Sequence, residues 1–297
     1  MNGSHDLVWY IAPVSIAIVI FIVAVFLEFG ARKSIAIKKL INVLRSGAFL
    51  DPTVLAITIG FLLIIGGWQN FLFAPGLALG GSTLDLVLRY SQVVIGTGLV
   101  LGIFIRLFNL GMLALFVAAF FAFQPLRVLD YMIFAGIAIF LFLVHRDALS
   151  FSFFFHPMDK KGVFDNYRKY ALPILRFLAG VGLAYAAFHH NILNPLPSIE
   201  FLNQNPLLNI MQSIFGIESY THAMLTFQIG VLGILAGFLL AFGILERVVS
   251  ITIAFCLLFL LFIKGISFIP VAIPYFAVVY IVITGNLYEE REFIERP

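Results

Sequence analysis

Nine apolar runs, at residues 8 to 29, 54 to 74, 86 to 105, 107 to 124, 129 to 144, 171 to 190, 222 to 243, 248 to 263 and 266 to 284, are each long enough, or nearly so, to cross a hydrocarbon core of about 30 Å. No other feature constrains the fold as tightly. Inside lipid every backbone N–H and C=O must be satisfied within the chain, and unbroken runs of this length do so as helices. With 62% hydrophobic and only 11% charged residues, and a mean hydropathy of +1.08, the chain has too little polar surface for a soluble globule. The expectation is an all-α polytopic membrane protein. The first run, starting at Leu7, has neither a basic n-region nor a small-residue cleavage site, so it reads as a retained span and not as a signal peptide. The lone cysteine, Cys256, excludes an internal disulfide and a cysteine-cluster metal site.

Basic residues set the orientation. Arg32, Lys33, Lys38, Lys39 and Arg45 follow the first run, and Arg146, Lys160, Lys161, Arg168 and Lys169 follow the fifth, so both segments are expected on the cytoplasmic side. The N-terminus then falls outside and the C-terminus inside. Of the 18 Lys and Arg residues, only Arg127 and Lys264 lie in outer loops and only Arg89 and Arg176 within span ends. The net charge of +3 belongs to this asymmetry and does not point to nucleic acid. Residues 31 to 47 carry Ile37, Leu40, Ile41 and Leu44 at helical spacing, which predicts a connector lying along the inner membrane surface. The aromatic run Phe151 to Pro157 reads as an interfacial anchor.

The chain also resembles itself. RFLAGVGLAYAAFHHNILNP, Arg176 to Pro195, and TIGFLLIIGGWQNFLFAP, Thr58 to Pro75, both carry small residues and then a polar pair just before a proline. Further on, LVLGIFIR, Leu99 to Arg106, matches LAFGILER, Leu240 to Arg247, with Gly96 and Gly102 falling on Gly237 and Gly243. Two correspondences in the same order indicate an internal duplication. Four domains follow: 1–53, an N-terminal span and basic connector; 54–146, a first four-helix repeat; 147–170, a cytoplasmic linker; and 171–297, a second four-helix repeat with a short charged tail. Each repeat has an even number of crossings, so the two are expected to be parallel, related by an axis along the membrane normal. The segment between the sixth and seventh spans, broken by Pro195, Pro197 and Pro206, is expected to cover the outer mouth, with Leu207 to Gly216 as its short helix.

Polar residues collect toward the predicted outer face, and the bilayer centre is nearly empty of ionisable groups, so no proton or ion relay crosses it. The candidates for a ligand or quinone head group are Gln69, Asn70, Asp85, Arg89, Gln92, His189, His190, Asn191 and His222. Asp85 and Arg89 are four apart on one helix, a spacing that lets them pair with each other or frees the arginine for a ligand. Imidazoles titrate near neutrality and suit a quinone carbonyl or the proton of a quinol. Neighbouring histidines on a regular helix diverge by about 100°, and no ligand motif of recognised spacing is present, so no metal and no haem are expected. Phosphate loops, nucleophile elbows and zinc-protease helices are absent.

The second repeat resembles the DoxX/DoxD family of four-helix membrane proteins. The resemblance rests on ILRFLAGVGLAYAAFHHNILNP, FLNQNPLLNIMQ and GVLGILAGFLLAFGILER in that order, with a fainter copy over 54 to 146. His190-Asn191 stands where many members have a Glu-Lys pair, and Gly233 and Gln92 stand where many have a glutamate. The resemblance implies a membrane bundle and, from some members, a subunit of a thiosulfate:quinone oxidoreductase. The leading expectation is therefore a quinone-proximal subunit of a redox complex in a prokaryotic plasma membrane, joined by other protein subunits on its outer or membrane side. The alternatives are a small-molecule or lipid carrier, suggested by the duplication and the covering loop, and a purely structural membrane subunit, suggested by the small-residue helix faces.

Overall fold

The computed structural model describes Val23, residues 51–144 and residues 165–284. Its secondary structure there is helical, apart from a single isolated bridge between Phe71 and Ala78. Apart from Val23, the expected first span lies outside the described residues, as do the basic connector, the aromatic run 151 to 157 and the charged tail. Eight longer helices carry the architecture: α1 (Asp51–Trp68), α2 (Thr83–Leu101), α3 (Ile105–Ala122), α4 (Met132–Val144), α5 (Ala171–Phe188), α6 (His222–Phe242), α7 (Glu246–Lys264) and α8 (Ile269–Thr284). Among the described residues, five helical stretches are long and apolar enough to cross a membrane: α2, α3, α6, α7 and the continuous helix Asn166–Leu193 that contains α5. The remaining apolar helices are shorter.

Burial explains two of the short ones. At about 1.5 Å per residue, α4 rises only about 20 Å, but ten of its thirteen residues are buried, including Ile133, Phe134, Ile137 and Phe140. A helix apolar all round belongs in the interior, and α4 packs between α3 and α5. α8 is similarly enclosed, through Tyr275, Val278, Val279, Ile281 and Val282. The other helices turn large apolar side chains outward, among them Phe121, Phe242, Phe255 and Phe262. On a helix this apolar, such a face suits lipid.

Small residues decide which helices meet. A methyl group added at Gly60 would lie 2.7 Å from the Gly96 carbonyl oxygen, and one at Gly96 would lie 2.6 Å from that of Gly60, so α1 and α2 cross backbone to backbone. α5 and α6 cross the same way: a methyl at Gly237 would meet the Gly180 carbonyl oxygen and the Ala184 amide, each at 2.5 Å. The next turns also match. Gly102 ends α2 in the left-handed region and Phe104 takes the same region two residues on; Gly243 and Leu245 do so after α6. In both, the glycine and the residue after it donate to the last-turn carbonyls, from Ile103 to Gly98 and from Ile244 to Leu239.

The expected second span, 54 to 74, departs from expectation. Its helix stops at Trp68, and residues 69 to 80 fold back over the end of the bundle, with Asn70 and Phe73 in the left-handed region. Phe71, Leu72, Phe73, Ala74 and Leu77 are all buried there. The apolar signal was core, carried by a loop. The segment before α6 also differs: its main helix is Leu196–Gln204, followed by a 3-10 turn Pro206–Leu208, and only Ile210–Ser213 of the expected Leu207 to Gly216 helix is α-helical.

Candidate functional site

The nine sequence candidates separate into three places. Around the start of α2, Ser82 caps the helix and Asp85 completes the capping box. One oxygen of Asp85, Oδ2, accepts the amides of Gly80, Gly81 and Ser82 at 3.1, 3.0 and 3.0 Å. Arg89 instead donates its Nε to the Gly67 carbonyl at 2.8 Å. The pairing allowed by their spacing is therefore not made, because backbone partners claim each residue first. Asn70, Gly81, Asp85 and Arg89 line an open hollow of about 150 Å³, and Gln69 is exposed.

Gln92 lies inside the bundle, bonded to backbone groups. It is wholly buried, its Oε1 accepts the Phe73 amide at 3.1 Å, and its Nε2 donates to the carbonyls of Leu63 and Phe71 at 2.9 and 3.1 Å. The amide is thus used up in fastening the 69 to 80 loop to α1 and α2. His222 is similarly occupied: its Nδ1 lies 3.1 Å from Nδ2 of buried Asn209, which also donates to the Tyr220 carbonyl at 2.9 Å. That contact pins the covering segment to the first residue of α6. Asn191 donates to the Ala187 carbonyl of its own helix at 3.2 Å, and its Cβ packs against Gly230.

His189 and His190 do converge, and they converge on a residue absent from the candidate set. Asp130 follows the short helix Pro125–Leu129 and leads into α4, and it is 9% exposed. Its Oδ2 lies 3.1 Å from Nδ1 of His189 and 3.0 Å from Nε2 of His190. The divergence of about 100° assumed a regular helix, and the helix is not regular here. Residues His189–Leu193 form a π turn, in which the Asn194 amide reaches back five residues to the His189 carbonyl at 2.9 Å. The two ring centroids lie 4.7 Å apart, and the rings reach the one oxygen through different nitrogens, Nδ1 of His189 and Nε2 of His190. Pro195, which has no N–H, prevents the helix from continuing, and the Ser198 hydroxyl bonds the His190 carbonyl at 3.1 Å.

The surroundings are mixed. His189 stacks on Tyr185, with ring centroids 5.8 Å apart. Two polar atoms in this cluster, Asp130 Oδ1 and the Tyr185 hydroxyl, are buried with no hydrogen-bond partner. The His190 side chain is 55% exposed, so the cluster opens to the exterior on that side. Chemically it offers a carboxylate, two imidazoles and neutral phenols where helices α3 to α5 end. At the opposite end of the bundle, Arg176 of α5 pairs with Glu246 of α7 and packs over Gly243.

Fold and site together define an all-helical protein whose apolar helices are compatible with a multi-pass membrane location and whose main polar cluster lies at one end of the bundle. Compared with family models, curated proteins and solved structures, the chain matches none.

Proposed function

We propose that the chain is a nine-span protein of a prokaryotic plasma membrane, a DoxX/DoxD-like tandem duplication with its N-terminus outside, and that it serves as the quinone-proximal subunit of a redox complex. The duplication is supported by the paired crossings Gly60–Gly96 and Gly180–Gly237 and by the matching left-handed junctions after α2 and α6. In this reading α1 to α4 and α5 to α8 are the two parallel units, preceded by the span at 8 to 29.

The observation that carries the functional reading is the meeting of Asp130 from one half with His189 and His190 from the other, where a buried carboxylate adjoins an apolar bundle and an exposed imidazole. A quinone becomes a quinol by taking two electrons and two protons. The electrons come from the donor oxidised by a partner subunit, and the protons enter through His190, pass to His189 or Asp130, and end on the two carbonyl oxygens of the head group. The apolar tail lies along the lipid-facing helices. Imidazole is suited to the transfer because it exchanges a proton near neutral pH.

The test is mild-detergent purification followed by chromatography and mass spectrometry of extracted lipophiles. Wild-type protein is expected to carry quinone, and Asp130→Asn and His190→Gln to lose most of it while eluting as the same folded species. Wild-type protein free of quinone, or variants that retain it in full, would overturn the assignment.

A further inference from the structure

Beyond that reading, we infer that Asp130, His189 and His190 form a binding site for one divalent first-row transition-metal ion. The three side chains offer one oxygen and two nitrogens within 4.8 Å of one another. Two of the three separations, 3.1 Å from Asp130 Oδ2 to His189 Nδ1 and 3.0 Å to His190 Nε2, have the length of an edge of a coordination polyhedron. Ligands about 2.1 Å from a metal and about 90° to 109° apart sit roughly 3.0 to 3.4 Å from each other. Two imidazoles and one carboxylate on one side of an ion, with the other positions open, is a donor set that zinc and ferrous iron both accept.

Hydrogen bonding alone accounts for the cluster less well. It places both rings on Oδ2 and leaves Oδ1 of the same buried carboxylate, and the neighbouring Tyr185 hydroxyl, without partners. Buried polar atoms are nearly always satisfied, and an unsatisfied group points to a bound species such as water or an ion. The π turn adds a second argument. Such single-turn bulges gather at functional sites, and here the bulge begins at the histidine pair. His190 is the exposed member, which gives an ion a route in from the exterior.

The inference needs no quinone, and a bound ion occupies the lone pairs that the proton path above would use, so the two roles exclude one another at these residues and are tested separately. Untagged protein in detergent, stripped with a chelator, is titrated with Zn²⁺ by calorimetry and with Co²⁺ by visible absorption. One saturable ion per chain is expected, with Co²⁺ bands showing nitrogen and oxygen ligation. Asp130→Asn, His189→Gln and His190→Gln should each weaken Zn²⁺ binding by at least about tenfold, and His222→Gln should leave it unchanged. Because His190 is half exposed, His190→Gln keeps the test valid even if Asp130→Asn fails to fold. Absence of stoichiometric binding, or equal binding by wild type and all three site variants, would overturn the metal site, whether or not quinone is found.

Discussion

Gln92 permits the most direct check on how the bundle end is held. Replacing it with leucine keeps the volume and removes three hydrogen bonds. The Leu63 carbonyl keeps its place in the helical ladder of α1, four residues before Gly67, so its loss is small. The Phe73 amide and the Phe71 carbonyl are the groups left stranded, in a loop whose side chains are buried. Each stranded buried group costs about 1 to 3 kcal/mol, so Gln92→Leu, which strands two, should destabilise the folded state by roughly 2 to 6 kcal/mol. Gln92→Glu, held as the neutral acid, still accepts from Phe73 and donates once, and should lose less than half as much. The measurement is reversible unfolding in mixed micelles, followed by the fluorescence of Trp68 at the end of α1 in a Trp9→Phe background, with hydrogen exchange at the Phe73 amide as a local readout. A leucine variant within about 0.5 kcal/mol of wild type, or a Phe73 amide still protected in it, would mean that Gln92 does not clamp this loop.

Other outcomes follow from the same structure. Gly237→Ala puts a methyl 2.5 Å from backbone atoms of α5 and should cost about 1 to 3 kcal/mol, whereas Gly216→Ala, with open space around it and only a φ of +67° to strain, should cost about 1 to 2 kcal/mol; thermal melts in detergent of the two variants should rank in that order. The Arg176–Glu246 pair, partly buried between α5 and α7, should show a coupling of about 1 to 3 kcal/mol in a double-mutant cycle with alanine, and additive single losses would place the pair in free solvent contact.

The helices were legible because apolar runs in a chain this hydrophobic have few other ways to satisfy their backbone, and seven of the eight longer helices fall within a few residues of the expected runs. The exception, 69 to 80, shows where that logic ends. Apolarity reports burial, not helicity, and Phe71 to Ala74 are buried by a loop whose register is fixed by a glutamine on the next helix. Gln92 is a related case, since a buried amide in an apolar helix looks identical in sequence whether its partner is a ligand or, as here, a neighbouring backbone. Asp85 and Arg89 illustrate local competition: the spacing allowed a pair, but three backbone amides at a helix start offered the carboxylate a better arrangement.

The His189-His190 pair was visible, but its meeting point was not, because Asp130 is about sixty residues away and nothing in local spacing joins them. One signal was available. Pro195 follows a helix that must end, and the helix leaves α geometry in the last turn before it. An angle argument from 3.6 residues per turn holds only while the helix stays regular, so adjacent histidines just before a proline should be tested for convergence before they are dismissed. The prolines of the first half stand differently. Pro75 follows a chain reversal that has already left the helix at Trp68, and no π turn precedes it among the described residues. If the halves descend from one unit, the second kept its helix running to the proline and gained a reactive pair there, while the first surrendered its helix end to a clamped loop and supplied the carboxylate from elsewhere. The chemistry of the molecule would then come from how the two copies diverged, and a variant rebuilding the first-half pattern in the second, His189→Gln with His190→Asn, should keep the fold and abolish the site.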